Sequence, residues 1–404
     1  MEPNNINNTN TNDTSSINFS RIPPTPPVPP ARTKPIKPQN NMKLKKMILA
    51  LLAVAVVITG GLYLYMQKVS SSPAASPQSE KPGEQVETIE NPITGELTPI
   101  TNKEASADLR PMAVMVNNHT DARPQSGLIY ADLTYEVVAE GGITRFLPFY
   151  LSKSPEKIGP VRSTREYYLV LVKELGDAML MHIGWSPQAL YAIENWPVRS
   201  LGRGGGTFWR DTSLNVATEH TAYTNGVELR EIAAGLGWDG EREFDRWKFK
   251  DDKTGYDTAP AATNISIDFW TKGDYSAVFK YDPASNSYLR FMGYDLENNL
   301  IAHIDRETSD QIKPKTVIVQ FATESGVIGD DKSRLEYQLI GSGEGLVFMD
   351  GKVIKTTWTK PDREARTKFY DLNGQEVEFN RGKFWISIVP DRNVDQVVYS
   401  SEAQ

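Results

Sequence analysis

Two arginines, Arg162 and Arg165, lie at the predicted start of a helix within GPVRSTREYYLVLVKELG, residues 159–176. The N-terminus of a helix carries unpaired N–H groups and a positive partial charge, so two cations there are unfavourable unless a negative group lies beside them. That group is either a carboxylate of the chain, with Glu136 and Glu140 as candidates, or an external phosphate or carboxylate, which such arginine-flanked helix ends bind well. The sequence leaves both alternatives open.

The helix is predicted from its flanking residues and its apolar content. Ser163 and Glu166 form the pattern of a capping box, which predicts Ser163 as the N-cap of a helix over residues 164–175. Gly176 is the predicted stop. Apolar side chains cover most of the helix circumference, so we expect the helix to be buried with the two arginines at its rim.

A β-hairpin is predicted immediately before this helix. Segments 133–140 and 143–151 are rich in β-branched and aromatic residues, and two glycines join them in a way that suits a tight turn. Alternation along the first strand puts Asp132 and Glu136 on one polar face, which we expect to line a cleft.

Glu140 and Arg145 bracket the turn of the hairpin, where they either pair with each other or join the same cleft as the helix start. Because the hairpin leads directly into the helix, we expect the charged groups to converge. The candidate ligand-binding residues are Arg162, Arg165, Arg145, Glu136, Glu140, Asp132, His182 and Ser163.

The histidines match none of the common local zinc motifs, and they are His119, His182, His220 and His303. We therefore expect no metal. We expect no cofactor either, because the loop GRGGG at 202–206 lacks the residue order of a phosphate-binding loop.

His182 is the most suggestive histidine, since it lies between an apolar segment and a predicted helix that begins at Pro187. Functional groups of α/β proteins often lie at such places. Ser186 is explained as the N-cap of that helix, and a catalytic pair of Ser186 with His182 is the sharper alternative.

The segment MILALLAVAVVITGGLYLYM, residues 47–66, predicts one transmembrane helix, because twenty uncharged residues in a helix span about 30 Å. Residues 1–46 carry seven Lys or Arg against two acids, which predicts a cytoplasmic N-terminus and an exterior remainder. A cleaved signal peptide is the alternative, but the long charged region before the apolar run favours an uncleaved anchor. The chain has no cysteine, so cysteine-linked lipid and disulfides are excluded.

The exterior part is acidic. The chain carries 44 Lys and Arg and 51 Asp and Glu; seven and two of these precede residue 67, which leaves 37 against 49 and a net charge of −12. Such a charge argues against nucleic acid as a partner, so an anion site must be local.

The composition divides the chain into successive parts. Residues 1–46 form a disordered, proline-rich cytoplasmic tail, which is either a passive spacer or a docking peptide for a cytoplasmic partner. Residues 67–104 are a predicted flexible stalk. Residues 105–258 mix helices and strands as an α/β domain, and residues 259–404 predict an antiparallel, β-rich domain. The fold class is thus a single transmembrane helix with a two-domain α+β ectodomain.

A collinear series of segments resembles the YerB family of bacterial extracytoplasmic proteins, many of them described as lipoproteins: RPMAVMVNN, ADLTYEVVAEGGITRFLPFY, IGPVRSTREYY, HIGWSPQA, EHTAYT, YDPASNSYLRF and GSGEGLVFMDGKVIKTTWTK. The resemblance covers about residues 105–400. It implies an exterior location and a two-domain layout, without an established activity. A lipidated cysteine is not carried over, because this chain has none.

The order of an Asp-initiated strand, a return strand and a proline followed by arginines is similar to that of the LytR-CpsA-Psr envelope phosphotransferases. This resemblance implies that Arg162 and Arg165 hold the pyrophosphate of a polyprenyl-linked substrate and that Asp132 binds a divalent metal.

Three hypotheses follow. The first is a membrane-anchored envelope protein that binds an anionic or polar ligand in its first domain, such as an envelope polymer or a lipid-linked precursor. The second is an envelope enzyme of the phosphotransferase kind. The third is a purely structural interaction protein, in which internal carboxylates neutralise the arginines.

Overall fold

The computed structural model describes residues 88–99, 110–202, 206–240 and 242–401. Among these residues no helix is long and apolar enough to cross a bilayer. The predicted membrane span at 47–66 and the predicted tail at 1–46 lie outside the described residues.

The α-helices of these ranges are α1, Glu166–Lys173, α2, Pro187–Asn195, and α3, Gly226–Gly235. Strands before residue 258 are β1 Thr88–Glu90, β2 Leu97–Pro99, β3 Met112–Val114, β4 Val116–Asn117, β5 Leu133–Val138, β6 Thr144–Tyr150, β7 Met179–Met181, β8 Arg199–Ser200, β9 Trp209–Arg210, β10 Ala222–Tyr223 and β11 Lys248–Lys250. Strands after residue 258 are β12 Asn264–Ile267, β13 Ala277–Asp282, β14 Ser287–Tyr294, β15 Leu300–Ala302, β16 Thr316–Ala322, β17 Glu324–Gly326, β18 Leu335–Tyr337, β19 Gly341–Met349, β20 Lys352–Lys360, β21 Lys368–Asp371, β22 Glu378–Asn380, β23 Phe384–Pro390 and β24 Val397–Ser400.

The largest sheet has the strand order β21-β20-β19-β16-β23-β5-β6-β3-β7-β8, with β4 also beside β6. Strands from both sides of the predicted boundary at residue 258 therefore share one sheet. A second sheet, β15-β14-β13-β12-β24, is antiparallel throughout, as predicted for the second half.

The expectation of an antiparallel second half is wrong for β23, which pairs in parallel with both β16 and β5. Its sequence FWISIVP is buried at every position. A strand covered on both faces reads as a continuous apolar run, which is typical of parallel strands in the middle of a sheet. Every residue of β5, which pairs with β23, is also buried. The predicted polar cleft along β5 is therefore replaced by a buried centre.

The predicted stalk at 67–104 is too long, because residues 88–99 form the β1–β2 hairpin. Its turn is held by Asn91, whose side chain accepts the N–H groups of Ile93 and Thr94, and Ile93 is fully buried. Gly95 has φ +69° and packs against Phe249 so closely that a Cβ would lie 2.3 Å from the ring. Only glycine fits both the conformation and the space.

Helix α1 is buried, as predicted, but it begins two residues later than the capping box indicates. Arg165 is the N-cap, with no side-chain cap, so Ser163 is not the cap. The reason is that residues 161–164 stay extended between two neighbouring segments: Arg162 N donates to the carbonyl of Met115, and Ile183 N donates to the carbonyl of Arg162. These bonds outweigh the local capping preference. By contrast, α2 begins at Pro187 with Ser186 as its N-cap, as predicted.

Candidate anion-binding site

The partner of Arg165 is Glu140, which lies in the 3-10 turn Glu140–Gly142 between β5 and β6. Arg165 Nε lies 2.5 Å from Glu140 Oε1, and Arg165 Nη2 lies 2.8 Å from Oε2. Arg145 Nη2 lies 3.1 Å from the same Oε2. The carboxylate of Glu140 thus pairs with two arginines. The negative group expected beside Arg165 is therefore a carboxylate of the chain itself.

The electrostatics of this triad favour an ionised Glu140. Burial by itself would raise the pKa of Glu140, but the hydrogen bond and charge of Arg165, together with the charge of Arg145, outweigh burial and hold that pKa below its usual value. With one negative charge against two positive charges, the triad remains cationic.

Arg162 differs from Arg165. Its backbone is held between Met115 and Ile183, whereas its half-buried guanidinium makes no hydrogen bond or ion pair within the part of the chain that the structure describes. The charges that act on it most strongly are those of Glu219, Arg165, Glu140 and Arg210. Internal pairing therefore does not account for Arg162.

Two histidines lie near Arg162. His220 ends the 3-10 turn Thr218–His220, and His119 precedes another short turn, Thr120–Ala122. Their rings are stacked with centroids 4.6 Å apart and 18° between the planes. Burial, followed by the positive charges of His119 and Arg162, lowers the pKa of His220. His220 is therefore neutral near pH 7.

Hydrogen bonds define the tautomers of both rings. Asn117 Oδ1 accepts the N–H of His119, so the Asn117 amide nitrogen faces His220 Nδ1, 2.8 Å away, and donates to it. The Asp121 N–H donates to His119 Nδ1 at 3.2 Å. A neutral imidazole whose Nδ1 accepts a bond carries its proton on Nε2. Both rings therefore present an Nε2–H donor, and neither donor has a protein acceptor among the described residues.

His119, Asp121 and His220 also offer ligand atoms within 4.8 Å of one another, and in the described ranges they are the one group of three potential metal ligands. The local spacing rules could not reveal this group, because it is assembled from two distant loops. A neutral imidazole that binds a metal through Nε2 must carry its proton on Nδ1. Both Nδ1 atoms accept hydrogen bonds here, so the arrangement suits an anion better than a cation.

We call the group formed by Arg162, His119 and His220 the Arg162 site. The sequence predicted Arg162 for it, whereas the two histidines were named without a ligand role. His220 lies in the segment EHTAYT, which was part of the family resemblance, whereas His119 directly follows the segment RPMAVMVNN and was not part of it.

Asp132 and Glu136 do not reach the Arg162 site. Asp132 is buried at the start of β5, where its Oδ2 accepts the N–H groups of Leu151 and Ser152 at 2.6 and 2.9 Å. Burial raises the pKa of Asp132. Glu136 is fully buried and pairs with Arg290 at 2.8 Å. The prediction that these acids share a cleft with the arginines is corrected, because β5 is central in the sheet and its side chains point into packed layers.

Ser163 is part of the extended segment 161–164, and His182 precedes Ile183, whose N–H donates to the carbonyl of Arg162. The Ser163 carbonyl accepts Arg145 Nη1 at 2.8 Å. His182 is fully buried, and its Nε2 lies 2.8 Å from Ser200 Oγ. The serine beside His182 is therefore Ser200, whereas Ser186 serves as the N-cap of α2.

Comparison with known proteins gives consistent matches. Residues 97–239 match the family "Protein of unknown function (DUF3048) N-terminal domain", and residues 265–386 match the corresponding C-terminal domain. The chain is 33% identical over 310 residues to "Putative lipoprotein YerB" of Bacillus subtilis (strain 168), covering 75% of this chain and 87% of that protein. The crystal structure of YerB from Bacillus subtilis matches with a TM-score of 0.65 and 32% identity, over 77% of this chain and 99% of that one.

Proposed function

The chain belongs to the YerB-like DUF3048 family, and from this premise we propose that it is a membrane-anchored, extracytoplasmic envelope protein that binds an anionic ligand at the Arg162 site. The observation that carries the proposal is a set of three donors that have no acceptor among the described residues, namely the guanidinium of Arg162 and the Nε2–H groups of His119 and His220. Unsatisfied donors beside a positive charge are favourable for a phosphate or carboxylate oxygen.

The location is inferred from the relative and from the sequence together. YerB is named as a lipoprotein, which implies a lipid anchor on the outer face of a membrane. This chain has no cysteine to carry a lipid, and its apolar segment at 47–66 supplies an anchor of another kind. The ligand then belongs to the envelope, where an anionic polymer or a lipid-linked precursor offers phosphate or carboxylate groups.

A divalent metal at Asp132, which the phosphotransferase resemblance implied, is not part of the proposed site. Asp132 is buried, and its oxygens already accept hydrogen bonds from Leu151 and Ser152. A divalent cation would have to displace these bonds. Arg162 is retained from that resemblance, while Arg165 is already paired with Glu140.

Replacing Arg162 with alanine should abolish ligand binding while leaving the melting temperature of the free protein nearly unchanged, since the guanidinium of Arg162 has no hydrogen bond or ion pair to a described residue that would be lost. Inorganic pyrophosphate is the probe. At a concentration of 100 times Kd, it should stabilise the wild-type chain by about 2.7 kcal/mol. Thermal melts with and without pyrophosphate measure the effect.

The matched control is Arg246→Ala, which removes an exposed arginine elsewhere on the chain and should keep the full pyrophosphate shift. Arg165→Ala provides a contrast, because it breaks the contact with Glu140 and should lower the melting temperature without ligand. A pyrophosphate shift that survives Arg162→Ala would refute the assignment of the site.

The topology has its own test. The natural chain has no cysteine, so Ser71→Cys introduces a single thiol just after the apolar segment. We expect this thiol to react with a membrane-impermeant maleimide on intact cells, whereas a thiol introduced by Ser15→Cys in the tail should react only after lysis. The opposite labelling pattern would reverse the proposed orientation.

A further inference from the structure

His182 and Ser200 follow from two neighbouring parallel strands. His182 comes directly after β7, and Ser200 is the last residue of β8, which pairs in parallel with β7. The carboxyl ends of parallel strands therefore bring the two side chains to one edge of the sheet, the usual location of reactive groups in α/β architecture.

The hydrogen bonds around His182 set its tautomer. His182 Nδ1 lies 2.9 Å from the carbonyl oxygen of Gly184, and a carbonyl can only accept, so Nδ1 carries the proton. In the neutral imidazole, Nε2 then carries the lone pair and accepts a hydrogen bond. It lies 2.8 Å from Ser200 Oγ, so the hydroxyl of Ser200 donates to it.

The pair lies at the edge of a packed region. His182 is fully buried, whereas Ser200 is partly exposed. Gly202 packs so closely on His182 that a Cβ at this position would lie 2.0 Å from the His182 carbonyl oxygen. The chain just after Ser200 thus packs directly on the buried His182, while Ser200 itself is half-buried.

We infer that Ser200 is a nucleophile activated by His182 and that the pair acts on carboxylic esters. A nucleophile within hydrogen-bond reach of a base, with the base oriented by a third group, is the structural signature of covalent catalysis. This activity does not depend on anion binding at the Arg162 site.

The reaction balances with these two residues and water. Ser200 Oγ bonds to the acyl carbon as its proton passes to His182 Nε2. The bond from the acyl carbon to the ester oxygen then breaks, and the leaving alcohol takes the proton from Nε2. Water, deprotonated in turn by His182, attacks the acyl-serine and releases the carboxylic acid, which restores Ser200 and neutral His182.

The group that orients His182 explains why esters are the expected substrate class. Here His182 Nδ1–H donates to a neutral carbonyl, that of Gly184, and not to a carboxylate. A carbonyl dipole stabilises an imidazolium less than a full negative charge does. Alcohols are better leaving groups than amines, so an ester needs less assistance than an amide.

A fluorophosphonate probe tests the proposal on the full chain. We expect one covalent adduct, located on Ser200 by peptide mass spectrometry, and its loss in Ser200→Ala. His182→Gln should slow labelling by a factor of about 100 or more, the range expected for general-base assistance. The matched control is Ser186→Ala, which removes a nearby serine that caps α2 and should leave labelling of Ser200 intact.

A second measurement separates the activation of residue 200 by His182 from any effect of the substitution on folding. Because the chain has no cysteine, Ser200→Cys provides a single thiol beside His182. Alkylation of this thiol by iodoacetamide at pH 7 should be at least tenfold faster than in the same variant with His182→Gln, at equal melting temperature. Absence of an adduct in the folded wild-type chain, or equal alkylation rates in the two thiol variants, would overturn the proposal. Either result leaves pyrophosphate binding at Arg162 unaffected.

Discussion

Replacing Glu174 with alanine is expected to lower the free energy of unfolding by about 3–5 kcal/mol, because two buried cations lose their counter-charge. Glu174 follows α1 and is fully buried. Its Oε2 lies 3.3 Å from Lys360 Nζ, and its Oε1 lies 3.1 Å from Arg366 Nη1. Both cations are themselves buried. The contacts join a helix of the first half to β20 and the loop after it.

The same carboxylate predicts a dependence on pH. Burial by itself would raise the pKa of Glu174, but the charges of Lys360 and Arg366 outweigh burial and hold it below its usual value. A depressed folded-state pKa means that the stabilisation is present above the unfolded-state value of about 4.3 and is lost as the pH falls through the folded-state pKa. The stability of the wild-type chain should therefore fall more steeply below about pH 4.3 than that of Glu174→Gln.

Urea unfolding at pH 7 measures the loss for Glu174→Ala. The control is Glu231→Ala on the exposed face of α3, which should change the unfolding free energy by no more than about 0.5 kcal/mol. A loss at Glu174 no larger than that of the control would show that the buried cluster does not hold the two halves together.

Replacing Glu136 with leucine is expected to have a comparable effect, about 3–5 kcal/mol, because Arg290 would remain buried and unpaired. Glu136 accepts hydrogen bonds from Thr144 Oγ1 at 2.8 Å, Arg290 Nη2 at 2.8 Å and Trp385 Nε1 at 3.0 Å. The guanidinium of Arg290 lies over the Trp385 ring, 4.2 Å from its centroid. The pair thus joins β5, β14 and β23 in the interior.

A double substitution distinguishes the loss of a favourable pair from the cost of leaving one charge buried and unpaired. Glu136→Leu combined with Arg290→Met removes both charges and keeps apolar volume, so most of the lost stability should return. Urea unfolding of the two single variants and the double variant completes the cycle. If the double variant lost as much as the sum of the singles, the two residues would not be coupled, and the structural role given to the pair would be wrong.

His303 lies at the far side of this network. Arg290 Nη1 contacts His303 Nδ1, and His303 Nε2 lies 3.1 Å from Gln125 Oε1. Since an arginine can only donate, His303 Nδ1 accepts and Nε2–H donates to Gln125. Burial, followed by the charges of Arg290 and Arg123, lowers the pKa of His303 well below its usual value. His303 is therefore a neutral histidine with a structural role, because both of its ring nitrogens bond to buried side chains.

Local patterns in the sequence were sufficient for several elements. The glycine pair marks the turn between β5 and β6, and Ser186 with Pro187 marks the start of α2, because turn and cap preferences depend only on residues close in the chain. The same kind of reasoning placed the start of α1 too early. The extended segment 161–164 is held by hydrogen bonds to Met115 and Ile183, and no local pattern reports such partners.

The sequence by itself determined which charged and potentially reactive residues lie between positions 140 and 182. These residues, all identified from segments close to one another in the chain, are Glu140, Arg145, Arg162, Arg165 and His182. Only the tertiary structure decided how they are used. Glu140 neutralises Arg165, Arg290 of β14 pairs with Glu136 of β5, and two loops distant in the sequence bring His119 and His220 close to Arg162. The physical reason is that a buried charge is satisfied by whichever group the strand order brings within hydrogen-bond reach. That order depends on long-range pairing, which composition and spacing do not specify.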